Sequence, residues 1–256
     1  MMLRLRSWTS SLLLTLGLSG CSVYAPMLPA TPQLRDKGQA EVQATSFLNG
    51  RWEGAGTYSP VKHMLVRAAG GFKTDSQDTT YFRVRQYEVG LGGYYPISNH
   101  FLISGLGGYG QAVSNRGYVQ PQLFTGESYN VDFKARYHKY FGEVSALYYN
   151  SWVSTGLALR MSQIRFDRLT YNGEPLPLQH MTRVEPMLFA RFGAEEGALR
   201  WLQVQTSAGI TTVPGNEPNP NSLDPYEFEY SRIREGRIFL ALSLVFYPHL
   251  LGKPKL

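Results

Sequence analysis

The sequence predicts an all-β protein: a closed, antiparallel, up-and-down transmembrane β-barrel of about ten strands (roughly eight to twelve). Three observations predict it. From Gln39 onward hydrophobic residues recur with period two and not with the helical period. The connections between these segments are alternately short and long. Aromatic residues gather beside the short ones. A mean hydropathy of −0.24 is compatible with a membrane barrel, because only alternate residues of each strand meet lipid and the loops are polar.

Along the chain, residues 1–20 read as a lipoprotein signal peptide. Arg4 and Arg6 precede an apolar run from Leu12 to Leu18, far shorter than the ~20 residues of a spanning helix. A basic start, a short apolar run and small residues form an export signal. Leu18-Ser19-Gly20-Cys21 is similar to the lipobox of bacterial lipoproteins. That likeness implies cleavage before Cys21 and acylation of its thiol, and Ser22 is compatible with sorting to the outer membrane. Cys21 is the only cysteine, so no disulfide within the chain can hold the fold. Loss of Arg4 and Arg6 lowers the formal charge from +6 to +4. The remaining cations are scattered and do not form the stripe that nucleic acid requires. Residues 21–38, with Pro26, Pro29 and Pro32, are expected to form a lipidated, extended tether. Residues 39–256 are expected to form the barrel.

Strands are expected near 39–48, 50–58, 62–73, 79–95, 99–114, 129–146, 151–168, 181–193, 200–213 and 228–247. Asn49-Gly50 joins the first two as a hairpin turn. The last strand alternates most clearly: Ile238, Leu240, Leu242, Leu244 and Phe246 share one face, and Phe239, Ala241, Ser243, Val245 and Tyr247 the other. Short turns near Ser59-Pro60, 96–99, Tyr149-Asn150 and 194–199 fall at one end. Longer connections near 73–78, 115–128, 169–180 and 214–226 fall at the other, as in outer-membrane barrels with short periplasmic turns and long external loops. An N-terminus anchored in the periplasmic leaflet would then start the first strand upward. Tyr94, Tyr95, Tyr148, Tyr149, Trp152 and Tyr247 stand beside the short turns, where an interfacial girdle belongs.

Tyr24-Ala25-Pro26, Lys139-Tyr140-Phe141 with the hairpin running on to Gly156–Met161, and Arg183-Val184-Glu185-Pro186 resemble small outer-membrane β-barrel lipoproteins of the Bacteroidota. The resemblance covers most of the chain after the signal and implies a fold and a location, with no catalytic residue to carry over. The strand ending in Phe246-Tyr247 resembles the aromatic-ended signal read by barrel-assembly machinery, although nine residues follow it. That machinery, the lipoprotein-sorting machinery and membrane lipid are the expected partners, with no surface partner identified.

Signs of chemistry are sparse. Gly105-Leu106-Gly107-Gly108-Tyr109-Gly110 matches GxGxxG, but dinucleotide binding needs a helix after the glycines, and a strand is expected there. His63, His100, His138, His180 and His249 are dispersed without metal-ligand spacing, so neither metal nor cofactor is expected. Eight charged residues fall in mid-strand: Arg67, Glu88, Lys134, Arg136, Glu143, Arg160, Glu185 and Arg191. Charge on a lipid-facing surface costs several kcal/mol, so they are expected to point inward and pair as a polar lumen network. The reading for function is a non-enzymatic, lipid-anchored outer-membrane barrel with a structural or interaction role. Its contact surfaces would be the external loops 115–129 and 214–226. The alternative is a periplasm-facing soluble barrel lipoprotein that holds a small apolar ligand.

Overall fold

The computed structural model describes residues 23–76, 80–121, 128–150, 152–193, 199–215 and 226–251. The signal peptide and Cys21 lie outside the described residues, as do 122–127 and 216–225 of the two expected contact loops. The described strands are β1 (Ala40–Phe47), β2 (Trp52–Tyr58), β3 (Met64–Ser76), β4 (Tyr81–Pro96), β5 (Phe101–Pro121), β6 (Ser128–Tyr149), β7 (Val153–Tyr171), β8 (Glu174–Pro175), β9 (His180–Phe192), β10 (Leu202–Thr211) and β11 (Arg237–Phe246). Each pairs antiparallel with its neighbours, β8 being a two-residue ribbon on β7. β11 pairs with β1, Val42 opposite Phe246, so ten strands close into a barrel.

Alternation along each strand decides which solvent lies outside. On β11, Ile238, Leu240, Leu242 and Leu244 point outward and are 45–53% exposed, while Phe239, Ala241, Ser243 and Val245 are buried inside. Leu91, Val144, Leu157 and Leu188 continue the outer apolar band around the wall. The barrel is therefore a transmembrane one. Hydrocarbon satisfies no backbone group, and closing the sheet leaves no unpaired edge within it.

The Asn49-Gly50 turn forms as expected, with Gly50 at φ 80 and its N–H donating to the Phe47 carbonyl at 2.9 Å. Three expectations are corrected. The strand expected from 228 begins at Arg237 and is preceded by a helix, α1 (Glu227–Arg234). Glu227 and Glu229 in its first turn and Arg232 and Arg234 in its last complement the helix dipole, and Tyr230 and Ile233 bury over the barrel mouth. The loop expected from Asn115 is strand as far as Pro121, so the wall is uneven: β1 and β2 have 8 and 7 residues, β5 and β6 have 21 and 22.

The third correction concerns the tether, which is extended but not outside. Val23 and Tyr24 are fully buried beside Phe133, Tyr137 and Ile164, under Leu176 and Leu178 of the β7–β9 connection and Tyr230 and Ile233 of α1, at the long-loop end. Leu28, Ala30 and Leu34 pack on Leu65, Tyr94, Leu102 and Leu147. Arg35 lies over the Tyr149 ring, and the Gly38 N–H donates to Ser59, both at the short-turn end. The segment thus traverses the lumen from the long-loop mouth to the short-turn mouth before β1 starts. The prolines hid this route: Pro26, Pro29 and Pro32 favour an extended chain that needs few partners for N–H groups, a pattern equally suited to a solvated tether and to a plug.

Leu242 stands mid-wall, opposite Ser46 on β1 and Thr206 on β10. Leu242→Arg is expected to cost about 2–4 kcal/mol, read as a lower urea midpoint in lipid vesicles. Ser46→Ala, at a neighbouring position, is expected to stay within about 0.5 kcal/mol.

Candidate functional site

The lumen holds the densest set of functional groups among the described residues. Arg51, Arg67, Lys139, Arg160, Arg183 and Arg191 are buried there with Glu41, Glu53, Glu88, Glu143 and Glu185, none more than 5% exposed. Glu88 sits between Lys139 Nζ at 2.6 Å and Arg160 Nη1 at 3.0 Å. Arg160 Nε donates to Glu143 at 2.7 Å, and Arg67 Nη1 approaches the same carboxylate at 3.5 Å. Arg191 pairs with Glu41 at 3.0 Å and donates to Gln205 at 2.7 Å. Arg183 donates to the Ile233 carbonyl at the end of α1, tying the helix to the wall.

These charges also hold the threaded segment. Glu53 accepts the Leu28 N–H at 3.2 Å, Glu143 the Ala30 N–H at 3.0 Å and Glu41 the Gln33 N–H at 3.1 Å. Arg67 donates to the Leu28 carbonyl at 2.9 Å, Arg191 to Thr31 at 3.0 Å and Arg160 to Met27 at 3.4 Å. The wall therefore presents carboxylates to the donors and guanidinium groups to the acceptors of one extended backbone. Gly110 makes room for the central pair: a Cβ there would lie 2.6 Å from the Tyr87 carbonyl and 2.7 Å from the Glu88 side chain. At the short-turn mouth a polar cavity of about 240 Å³ remains, lined by Gln33, Arg35, Tyr149, Arg200, Gln203 and His249 among others.

Of the eight residues expected in the lumen, Arg67, Glu88, Glu143, Arg160, Glu185 and Arg191 lie there. Lys134 and Arg136 do not. On β6 the odd positions from Val131 to Tyr149 point inward and the even ones outward, so Lys134 and Arg136 are exposed on the outer surface toward the long-loop end. The same parity would have found Lys139, which sequence reading missed, along with Glu41, Arg51, Glu53 and Arg183. The aromatic girdle divides likewise: Tyr95, Tyr148 and Trp152 face out at 51–69% exposure, whereas Tyr94, Tyr149 and Tyr247 are buried inside.

His138 lies on the outer surface with Nδ1 2.9 Å from Asp167, between the rings of Tyr109 and Tyr140. The GxGxxG glycines lie within β5, which continues as strand to Pro121. Among the described residues, no three of His, Cys, Asp and Glu come together as metal ligands would.

No family model matches the chain, and no curated protein matches its sequence. Solved structures are similar to it only distantly. The CymD monoaromatic hydrocarbon channel is 7% identical over 84% of this chain and 89% of its own, with a TM-score of 0.36. The copper transporter OprC is 10% identical over 85% of this chain and 43% of its own, at 0.23. OmpT, an outer membrane protein of Vibrio cholerae, is 7% identical over 82% and 95%, at 0.18. Likeness at this level says nothing about what this chain carries or binds.

The contrast between Arg160 and Arg136 is measurable. Arg160→Met leaves Glu88 and Glu143 short of a buried partner and is expected to cost about 3–5 kcal/mol. Arg136→Met is expected to cost less than about 0.5 kcal/mol. Urea unfolding in detergent micelles reads both.

Proposed function

We propose that this protein is a lipid-anchored outer-membrane barrel sealed by its own N-terminal segment, with a structural or interaction role and no catalytic one. The observation that carries this reading is the filled lumen. An interior crossed by residues 23–35 and lined with paired charges leaves little room for a solute among the described residues. What it offers a partner is therefore its long-loop end. The soluble alternative is disfavoured on two counts: Leu240, Leu242 and Leu244 point outward, and the interior, charged and occupied, is unsuited to a small apolar ligand.

Threading also changes what the anchor does. Val23 sits in the apolar cluster at the long-loop end, and two residues span at most about 7 Å. An acyl group on Cys21 therefore belongs to that end of the barrel. In an outer-membrane barrel the long loops face outside, so the lipid would enter the outer leaflet and not the periplasmic one first expected. There it would hold the outer end of the threaded segment while the Arg35–Gly38 turn holds the inner end.

The experiment is metabolic labelling with an alkyne palmitate followed by fractionation. Label is expected on the wild type and absent from Cys21→Ala, with the variant still in the membrane after carbonate washing and still heat-modifiable in electrophoresis. Release of Cys21→Ala into the soluble fraction would overturn the membrane-spanning reading, and an unlabelled wild type would overturn the anchor.

A further inference from the structure

The misplaced pair Lys134 and Arg136 points to a second site, on the outside of the tall wall. Arg83 and Arg85 on β4, Lys134 and Arg136 on β6, and Arg165 and Arg168 on β7 are all exposed there. The register draws them together. Arg85 lies opposite Val113, Val113 opposite Arg136, and Arg136 opposite Arg168. Arg85 and Arg136 are thus two strands apart, roughly 10 Å, and Arg136 and Arg168 are direct cross-strand neighbours.

Like charges placed directly opposite each other destabilise a sheet, and here an irregularity in the ladder creates the clash. The register shifts between Arg136 and Tyr137, which passes over Asp167 and sets Arg168 against Arg136. Two nearby carboxylates are engaged elsewhere. Asp167 holds His138 at 2.9 Å. Asp132 accepts from the Tyr81 hydroxyl at 2.6 Å and pairs with Lys134 at 3.1 Å. Arg85, Arg136, Arg165 and Arg168 have no ion-pair partner among the described residues.

Height identifies the counter-ion. Along the same outward faces, Tyr87 and Tyr140 lie just below the cations at 49% and 58% exposure, and Leu91, Val144, Leu157 and Leu159 lie below those. Tyrosines bordering an apolar band mark the membrane interface, so the residues farther out, Arg85 above Tyr87 and Arg136 above His138, stand at headgroup level. We propose that this cluster binds the phosphate groups of lipid headgroups in the leaflet around the long-loop end, with one phosphate bridging Arg136 and Arg168. Guanidinium groups suit this because their planar forks donate two parallel hydrogen bonds to phosphate oxygens. The inference rests on the membrane-spanning reading above.

The test uses the full chain in neutral detergent micelles, offered an equimolar mixture of phosphatidic acid and phosphatidylcholine and analysed by native mass spectrometry. Wild type is expected to retain phosphatidic acid preferentially. Arg136→Gln/Arg168→Gln is expected to lose about tenfold of that preference, and Lys62→Gln, at the short-turn end, none. Heat-modifiable migration checks folding in each case, so a folded barrel without lipid preference would sink the site and leave the membrane reading intact. Unchanged preference in the double variant would overturn the proposal. So would displacement of the lipid by millimolar inorganic phosphate, which would make the cluster a site for free anions.

Discussion

The interior of this barrel depends on one reciprocal constraint, between the peptide groups of residues 27–33 and the charged side chains of the wall. An extended strand inside a lumen has no sheet neighbour, so its N–H and C=O groups must find partners elsewhere. Buried carboxylates and guanidinium groups are costly unless paired and hydrogen-bonded on all sides. Each set meets the other's need. Glu53, Glu143 and Glu41 take the Leu28, Ala30 and Gln33 donors, and Arg67, Arg160 and Arg191 give to the Leu28, Met27 and Thr31 carbonyls. Pro26, Pro29 and Pro32 reduce the demand because they bring no N–H. Without the segment, Glu53 would keep, among the described residues, Arg51 and Arg67 at 4.0 and 3.9 Å.

The same period-two rule governs both surfaces, and it explains what was legible in the sequence. Closure, the count of ten barrel strands and the two ends were readable because lipid outside and packing inside impose opposite demands on alternate residues. The candidate site was half readable. Mid-strand charge identified Arg67, Glu88, Glu143, Arg160, Glu185 and Arg191, but charge alone did not separate the two faces. Parity on β6 does: Lys139 and Glu143 share the inward set with Phe141, and Lys134 and Arg136 share the outward set with Tyr140 and Val144. The cost of an outward charge applies only within the hydrocarbon, and β6 runs well beyond it.

Two features were not legible. The 23–35 segment carries no amphipathic period, because it is surrounded on every side and its partners come from distant strands: Ala30 meets Glu143, and Thr31 meets Arg191. No local pattern encodes a contact that only closure creates. The helix Glu227–Arg234 was hidden for another reason: its residues continue into the alternating run of β11, and only its terminal charges mark it off. The uneven wall follows from the loops. Strands that carry their pairing past the membrane lift β5 to β7 outward, while β1 and β2, at 8 and 7 residues, are shorter than the about 9–11 of a usual spanning strand.

Cysteine accessibility tests the position of the threaded segment directly. With Cys21 replaced by serine, a single cysteine is placed at Ala30, which is 4% exposed in mid-lumen, or at Lys37, in the exposed turn after the segment. Each folded barrel is treated in vesicles permeabilised to a charged maleimide. The Lys37→Cys chain is expected to label fully, and the Ala30→Cys chain only after unfolding. Equal labelling of both in the folded state would show that the segment lies outside the barrel and would contradict the account.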